Sequence, residues 1–349
     1  MSDHHDHDHD HDHEHAGGIR GFLQGIFAPH SHDASDSVDR ALRDSEKGMR
    51  ALKVSLVALA VTAVLQVGVV LISGSVALLA DTVHNFADAL TAVPLGIAFW
   101  LGRRKPTKRY TYGYGRAEDL AGIFIVAMIA LSAGVAAWES LHRLVDPKEV
   151  RNVGWVIAAG VIGFVGNELV AVYRIRVGRE IGSAALVADG LHARTDGLTS
   201  LAVVFGAAGV AAGWQLADPV VGLLITVAIL FVLKDAARDI YRRLMDSVDP
   251  ELVDQVTDVV GSVPGVQAVE HVAIRWVGHE LRAEVEVVSD CDLTLAESHA
   301  IAEEAHHRLL HDIAKLARAT IHTSPCSHDG RDHHSVTSHH FVVSSPGRT

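Results

Sequence analysis

Six apolar blocks run along the chain, at residues 51–72, 78–101, 118–141, 153–174, 184–211 and 217–234. Each is close to the ~20 residues a helix needs to cross a bilayer core, so the pattern predicts six membrane-spanning helices. After Met245 the texture changes to that of a soluble domain. Pro250–Val260 has helical spacing with an early acidic turn, and SVPGV at 262–266 breaks it. Val269–Val277 and Leu281–Val288 alternate as two paired strands do around a turn containing Gly278. Leu295–Leu316 reads as a long amphipathic helix and Ala319–His322 as a last strand. The order αββαβ predicts a small α+β domain with its helices on one sheet face. Ahead of the first block, Ile19, Phe22, Leu23, Ile26 and Phe27 fall on one helical stripe. That stripe fits a short helix lying on a membrane surface, or a collapsed turn.

Two of the apolar blocks are interrupted by the same polar pattern. VALLADTVHNFADALTA at 76–92 reappears as AALVADGLHARTDGLTS at 184–200, sharing D-x-x-H-x-x-x-D at Asp81/His84/Asp88 and Asp189/His192/Asp196. Residues i, i+3 and i+7 lie on one helix face, so each copy projects a carboxylate–imidazole–carboxylate stripe. Ionisable groups at membrane depth are costly and mark ion pathways. Hydrogen bonding between helices accounts for one buried polar residue well, and for six in duplicated register poorly.

Basic residues sort to one side of the membrane. Arg40, Arg43, Lys47, Arg50 and Lys53 precede or open the first block, and Arg103, Arg104, Lys105, Lys108, Arg109 and Arg116 join the second to the third. Arg174, Arg176 and Arg179 follow the fourth, and Lys234, Arg238, Arg242 and Arg243 follow the sixth. The first-to-second and fifth-to-sixth turns contain no Lys or Arg, and the third-to-fourth connection only Arg143, Lys148 and Arg151. The positive-inside rule then puts both termini in the cytoplasm. The formal charge of −12 over 349 residues hides this asymmetry, because acids crowd the N-terminus. A secretory signal is excluded by the acidic, His-rich start. Two cysteines, Cys291 and Cys326, make no disulfide framework, and a cysteine-built zinc site is excluded with it.

The chemistry of the stripes points to a metal. His84 and Asp88 on one helix, with His192 and Asp196 on another, supply two nitrogens and two oxygens, the donor set of a tetrahedral zinc site. An i, i+4 spacing puts each pair about 6 Å apart along its helix. Asp81 and Asp189 lie a turn away, beside the site or on its approach. Imidazole disfavours magnesium and calcium, leaving zinc first, with cobalt, cadmium, iron and nickel behind. Metal and protons compete for His84 and His192, so exchange of one for the other needs no ATP, and no GxxxxGK[ST] nucleotide motif occurs. A proton relay without metal would use the same residue types. Glu168 in the fourth block is a further carboxylate for a proton or metal path, while Glu139 and Arg143, one turn apart, read as an ion pair near a span end.

With these residues on the page the chain resembles the cation diffusion facilitators, the zinc-efflux group of divalent-metal transporters. The resemblance rests on SGSVALLADTVHNFADAL (73–90), YTYGYGRAEDLAG (110–122), ESLHRLVDP (139–147), YRIRVGREIGSAALVADGLHARTDGLTS (173–200) and LMDSVDPELV (244–253). It implies six transmembrane helices, a metallochaperone-like cytoplasmic domain, a homodimer, and proton-coupled efflux by alternating access rather than enzymatic chemistry; the chain's length and Arg/Ala/Val-rich composition point to a bacterial cell membrane. The family's transport site falls on His84, Asp88, His192 and Asp196, and two H-x-x-x-D pairs look like its zinc-preferring members. A peripheral site that some members carry between the second and third spans is not matched by RRKPTKRYTYGYG. His271, His299 and His322 stand where members bind metal in the cytoplasmic domain, with Glu286 replacing a His and Ser324 an Asp of some relatives. Transport of cobalt, cadmium, iron or nickel, or a membrane metal sensor or storage protein, are the competing readings.

The parts are then a His/Asp-rich N-terminus and linker (1–48), a transmembrane domain (49–244), a cytoplasmic domain (245–325) and a His-containing tail (326–349). His4, His5, His7, His9, His11, His13 and His15 alternate with acids in a segment that cannot pack a core. They read as accessory chelators that hold zinc near the pore. The expected partners are a divalent cation, protons, lipid and a second copy of the chain; no nucleic acid is implied.

Overall fold

The computed structural model describes residues 33–73, 92–145, 152–327 and 336. Among the described residues, six helices form the first part: α1 (Asp33–Ser73), α2 (Ala92–Gly102), α3 (Arg116–Val145), α4 (Val153–Ile181), α5 (Ala184–Ala211) and α6 (Ala217–Leu244). Segments within α1, α3, α4 and α6 are long and apolar enough to cross a membrane, α2 is a shorter apolar helix, and α5 is diluted by its polar stripe. Four of the six predicted spans are therefore present among the described residues, the fifth block lies on α5, and of the second only the end, on α2, is described; α1 and α4 overrun their predicted limits. The stretch 33–48, read as linker, is helical. Helix α4 continues to Ile181, so Arg174, Arg176 and Arg179 belong to a helix and not to a connection. Gly182, at φ +78°, ends α4, and the Ser183 hydroxyl accepts from the Leu186 N–H at 3.1 Å to start α5. This two-residue hinge is what lays α4 and α5 against each other.

The bundle is built with its polar residues inside. On α1, Ser55, Thr62 and Gln66 are buried, while Val57, Val64 and Leu71 are 64–78% exposed. Trp138, Leu169 and Phe231 likewise face outward. That inversion suits a surface solvated by lipid tails, where burying apolar side chains gains little and packing and hydrogen bonds hold helices together. Glycines let the helices close up. A Cβ at Gly190 of α5 would lie 2.9 Å from the Ile175 nitrogen and 3.1 Å from the Ala171 oxygen of α4, leaving room only for hydrogen. Helix α5 is central, packed against α3, α4 and α6.

The second part comprises α7 (Pro250–Gly261), β1 (Ala268–Val277), β2 (Glu280–Ser289), α8 (Leu295–Asp312) and β3 (Leu316–Pro325), in the αββαβ order expected. Helix α8 starts with a capping box between Thr294 and Glu297. It stops four residues before the predicted end, and Lys315 adopts φ +66° as the chain turns into β3. The sheet order is β1-β2-β3, antiparallel then parallel. Val256, Val260, Ile274, Val285, Val287, Ala305 and Leu309 form the core between the helices and one sheet face. The other face carries the exposed His271, Glu284 and Glu286, with Arg275 and Arg282 packed on the Tyr112 ring.

The two parts meet at the β1–β2 hairpin. Arg243, near the end of α6, donates to the Gly278 carbonyl at 2.8 Å and to the Gly182 carbonyl at 2.5 Å, and stacks 3.9 Å over the Trp276 ring. His279 Nδ1 lies 2.9 Å from the Glu118 carboxylate at the start of α3. Both side chains are buried.

Candidate metal centre

The described half of the duplicated motif sits on the central helix. Asp189, His192 and Asp196 of α5 are all buried, at depths where apolar neighbours surround the bundle. His192 Nδ1 lies 3.8 Å from the Asp196 carboxylate, so one helix presents a nitrogen and an oxygen at neighbouring positions. Thr195 and Thr199 turn back onto the His192 and Asp196 carbonyls at 2.7 Å, which leaves these hydroxyls out of the stripe. Asp196 also lines a 200 Å³ cavity between α3, α5 and α6, with Ser132, Thr199, Glu139, Arg143 and Asp218 around it. His84, Asp88 and Asp81 lie outside the described residues, as do the N-terminal histidines His4 to His15 and the Ile19–Phe27 stripe.

Asp189 is engaged from α4. Arg174 Nη1 stands 2.9 Å from its carboxylate, with both side chains at most 2% accessible. The carboxylate read as flanking the metal thus neutralises a buried guanidinium, and Arg174, counted among the loop cations, is a partner to the motif. The expectation missed it because span 4 was ended at Arg174, about two turns short of the helix end at Ile181. Glu168, considered for an ion path, is held by Arg194 through contacts of 2.6 and 3.1 Å. Arg143 pairs with Glu139 at 2.9 Å as the i, i+4 spacing predicts, and with Asp218 of α6 at 2.8 Å, which no local pattern signals.

In the second part, His271, Glu286 and His322 fall on one row across the sheet face away from the helices: His271 is opposite Glu286, and Glu286 is beside His322. All three are exposed. Neighbouring strands bring such side chains to about 5 Å. His299 is exposed on α8, in the helical layer on the other side of the sheet, so one chain does not bring it to this row. Ser324 is buried next along β3. Cys291 and Cys326 are neighbours, a placement on which their number and spacing in the sequence are silent. The Cys291 N–H donates to the Cys326 sulfur at 3.2 Å, and the hydrogen bond between the two side chains pushes the Cys291 thiol up to about 11.

A helical membrane bundle with carboxylates and an imidazole buried on its central helix, joined to a small α+β domain, has the build of a membrane cation transporter. Residues 52–245 match the cation efflux transmembrane domain, and residues 248–326 the cation efflux protein cytoplasmic domain. The chain belongs to this cation efflux, or cation diffusion facilitator, family, whose members move divalent metal cations out across membranes. A protein of Mycobacterium tuberculosis described as a probable cation efflux system protein is 58% identical over 311 residues, covering 89% of this chain and 94% of the relative. A cadmium, cobalt and zinc/H+–K+ antiporter of Bacillus subtilis is 27% identical over 75% of this chain and 89% of its own length. A manganese efflux system protein of the same organism is 25% identical over 80% and 98%.

Proposed function

We propose that this protein exports zinc in exchange for protons. The ion sits between His84 and Asp88 on one helix and His192 and Asp196 on α5, two nitrogens and two oxygens in zinc's preferred number. The single observation that carries the reading is the buried His192–Asp196 pair, 3.8 Å apart, within a motif that the chain repeats at His84–Asp88. A manganese site has no need of two imidazoles, since hard oxygen donors suit that ion. Cadmium and cobalt fit the same donors and follow zinc in the ranking. Each imidazole that loses metal on the far side takes up a proton, and returning inward it gives the proton up to the next ion. Asp189 holds α4 to α5 through Arg174 and leaves the ion to the other four groups.

Both termini face the cytoplasm, consistent with basic residues at the ends of α2, α4 and α6. The working unit is a homodimer, and the His271–Glu286–His322 row offers a second metal site on its cytoplasmic domain. Two imidazoles and a carboxylate in one sheet row fit zinc; His299 of a second copy would complete the shell. The His/Asp-rich N-terminus gathers zinc near the pore.

The test is zinc flux into reconstituted vesicles under a proton gradient, comparing wild type with Asp88→Ala and Asp196→Ala. Gradient-driven flux lost in both variants supports the site and the exchange. Unchanged flux in the variants refutes the site, and flux of another metal in place of zinc refutes the selectivity alone.

A further inference from the structure

The parallel pairing of β2 with β3 brings together two chain segments that the sequence holds far apart. Ser289 ends β2 opposite Pro325, which ends β3. The residues after each strand therefore leave the sheet side by side, and the Cys326 N–H closes the pair by donating to the Ser289 carbonyl at 2.8 Å. Asp290 and Cys291 come from one exit and Cys326 from the other. The Asp290 carboxylate and the two sulfurs lie within 4.8 Å of one another. In a tetrahedral zinc site with bonds near 2.3 Å, two sulfurs stand about 3.8 Å apart. A rotation of one exposed side chain covers the difference, because Cys291 is exposed and Cys326 half-buried.

We propose that Asp290, Cys291 and Cys326 form a binding site for a thiophilic divalent cation, zinc or cadmium, at the far end of the cytoplasmic domain. Two thiolates and a carboxylate supply three of the four ligands such an ion takes. Thiolates select zinc, cadmium and cobalt over manganese and magnesium. The N–H of Cys291 is already directed at the Cys326 sulfur, and such outer hydrogen bonds orient the ligands of a metal site. The remaining position falls to water. Counting four residues from His322 to Cys326 along the strand, this cluster stands about 13 Å from the His271–Glu286–His322 row. It lies at the opposite end of β2 from the hairpin that touches the membrane part, about 30 Å away. It therefore stands apart from the buried stripe of α5.

The histidines make ordinary zinc stoichiometry uninformative, yet the chain has only two cysteines, so any metal–sulfur signal reports on this pair alone. The full-length protein, with both thiols counted as reduced, is titrated with cobalt and then with cadmium. The expected result is a near-ultraviolet thiolate-to-cobalt charge-transfer band that saturates at one cobalt per chain and is displaced by cadmium. Cys291→Ser and Cys326→Ser each abolish that saturating band, while Asp290→Asn keeps its sulfur character with affinity about tenfold weaker or more. Absence of the band in wild type with both thiols reduced overturns the proposal, and that measurement needs no variant to fold. A band of full strength in either serine variant overturns it too. So does a pair that closes to a disulfide when reductant is withdrawn but gives no band while reduced. These readouts are bonds and not fluxes, so they stand apart from the outcome of the transport experiment.

Discussion

Replacing Arg174 by Met removes the cation that neutralises Asp189 and leaves a fully buried carboxylate without its charge partner. At 2.9 Å the contact is worth about 6 kcal/mol of direct attraction at an effective dielectric near 20. Much of that offsets the desolvation of the two ions, so the pair is worth far less net than its Coulomb energy. Breaking it from one side still costs about 3–5 kcal/mol, because the stranded charge keeps the desolvation penalty and loses the attraction. The assay is thermal unfolding in detergent of Arg174→Met, Asp189→Asn and the double variant Arg174→Gln/Asp189→Asn, followed by zinc flux in vesicles. Each single variant is expected to be strongly destabilised, by about 3 kcal/mol or more. The neutral double variant is expected to melt closer to wild type than either single one, and to transport. Singles that melt like wild type would refute the ion-pair argument. A stable double variant that carries no metal would put Asp189 in the ion path.

Three further outcomes follow from close contacts elsewhere. Gly190→Ala puts a methyl against the α4 backbone at 2.9 Å, so α4 and α5 must separate; the melting point should fall by the equivalent of about 1–3 kcal/mol, and an unchanged melt would refute the tight packing. His279→Ala leaves the buried Glu118 carboxylate without its 2.9 Å contact, costing about 1–3 kcal/mol at the junction of the two parts. It should be visible as faster proteolysis near 245–250, and wild-type protection would count against that latch. Thr294→Ala removes the capping box of α8 and should cost about 1 kcal/mol of cytoplasmic-domain stability without changing metal flux, measured by melting and by vesicle transport side by side.

The apolar blocks, the duplicated D-x-x-H-x-x-x-D and the αββαβ order could all be read from residue spacing, because helix and strand periods and the cost of burying charge act locally. Gly278 at φ +64° marked its own turn in the same way. Helix ends were less legible. Arg174 looked like a loop cation, since nothing in a one-dimensional pattern distinguishes a basic residue in solvent from one held against Asp189 on a neighbouring helix. Asp218 beside Arg143 and Arg194 beside Glu168 were hidden for the same reason. Two cysteines separated by 35 positions carry no spacing signal, and only the parallel register of β2 and β3 makes them neighbours of Asp290. The sequence alone thus determined which residues are expensive to bury and which elements they ride on, because those follow from composition and period. Which buried charge meets which, and which thiols converge, was decided by the tertiary structure, because partnership depends on helix crossing and strand register, which no local pattern contains.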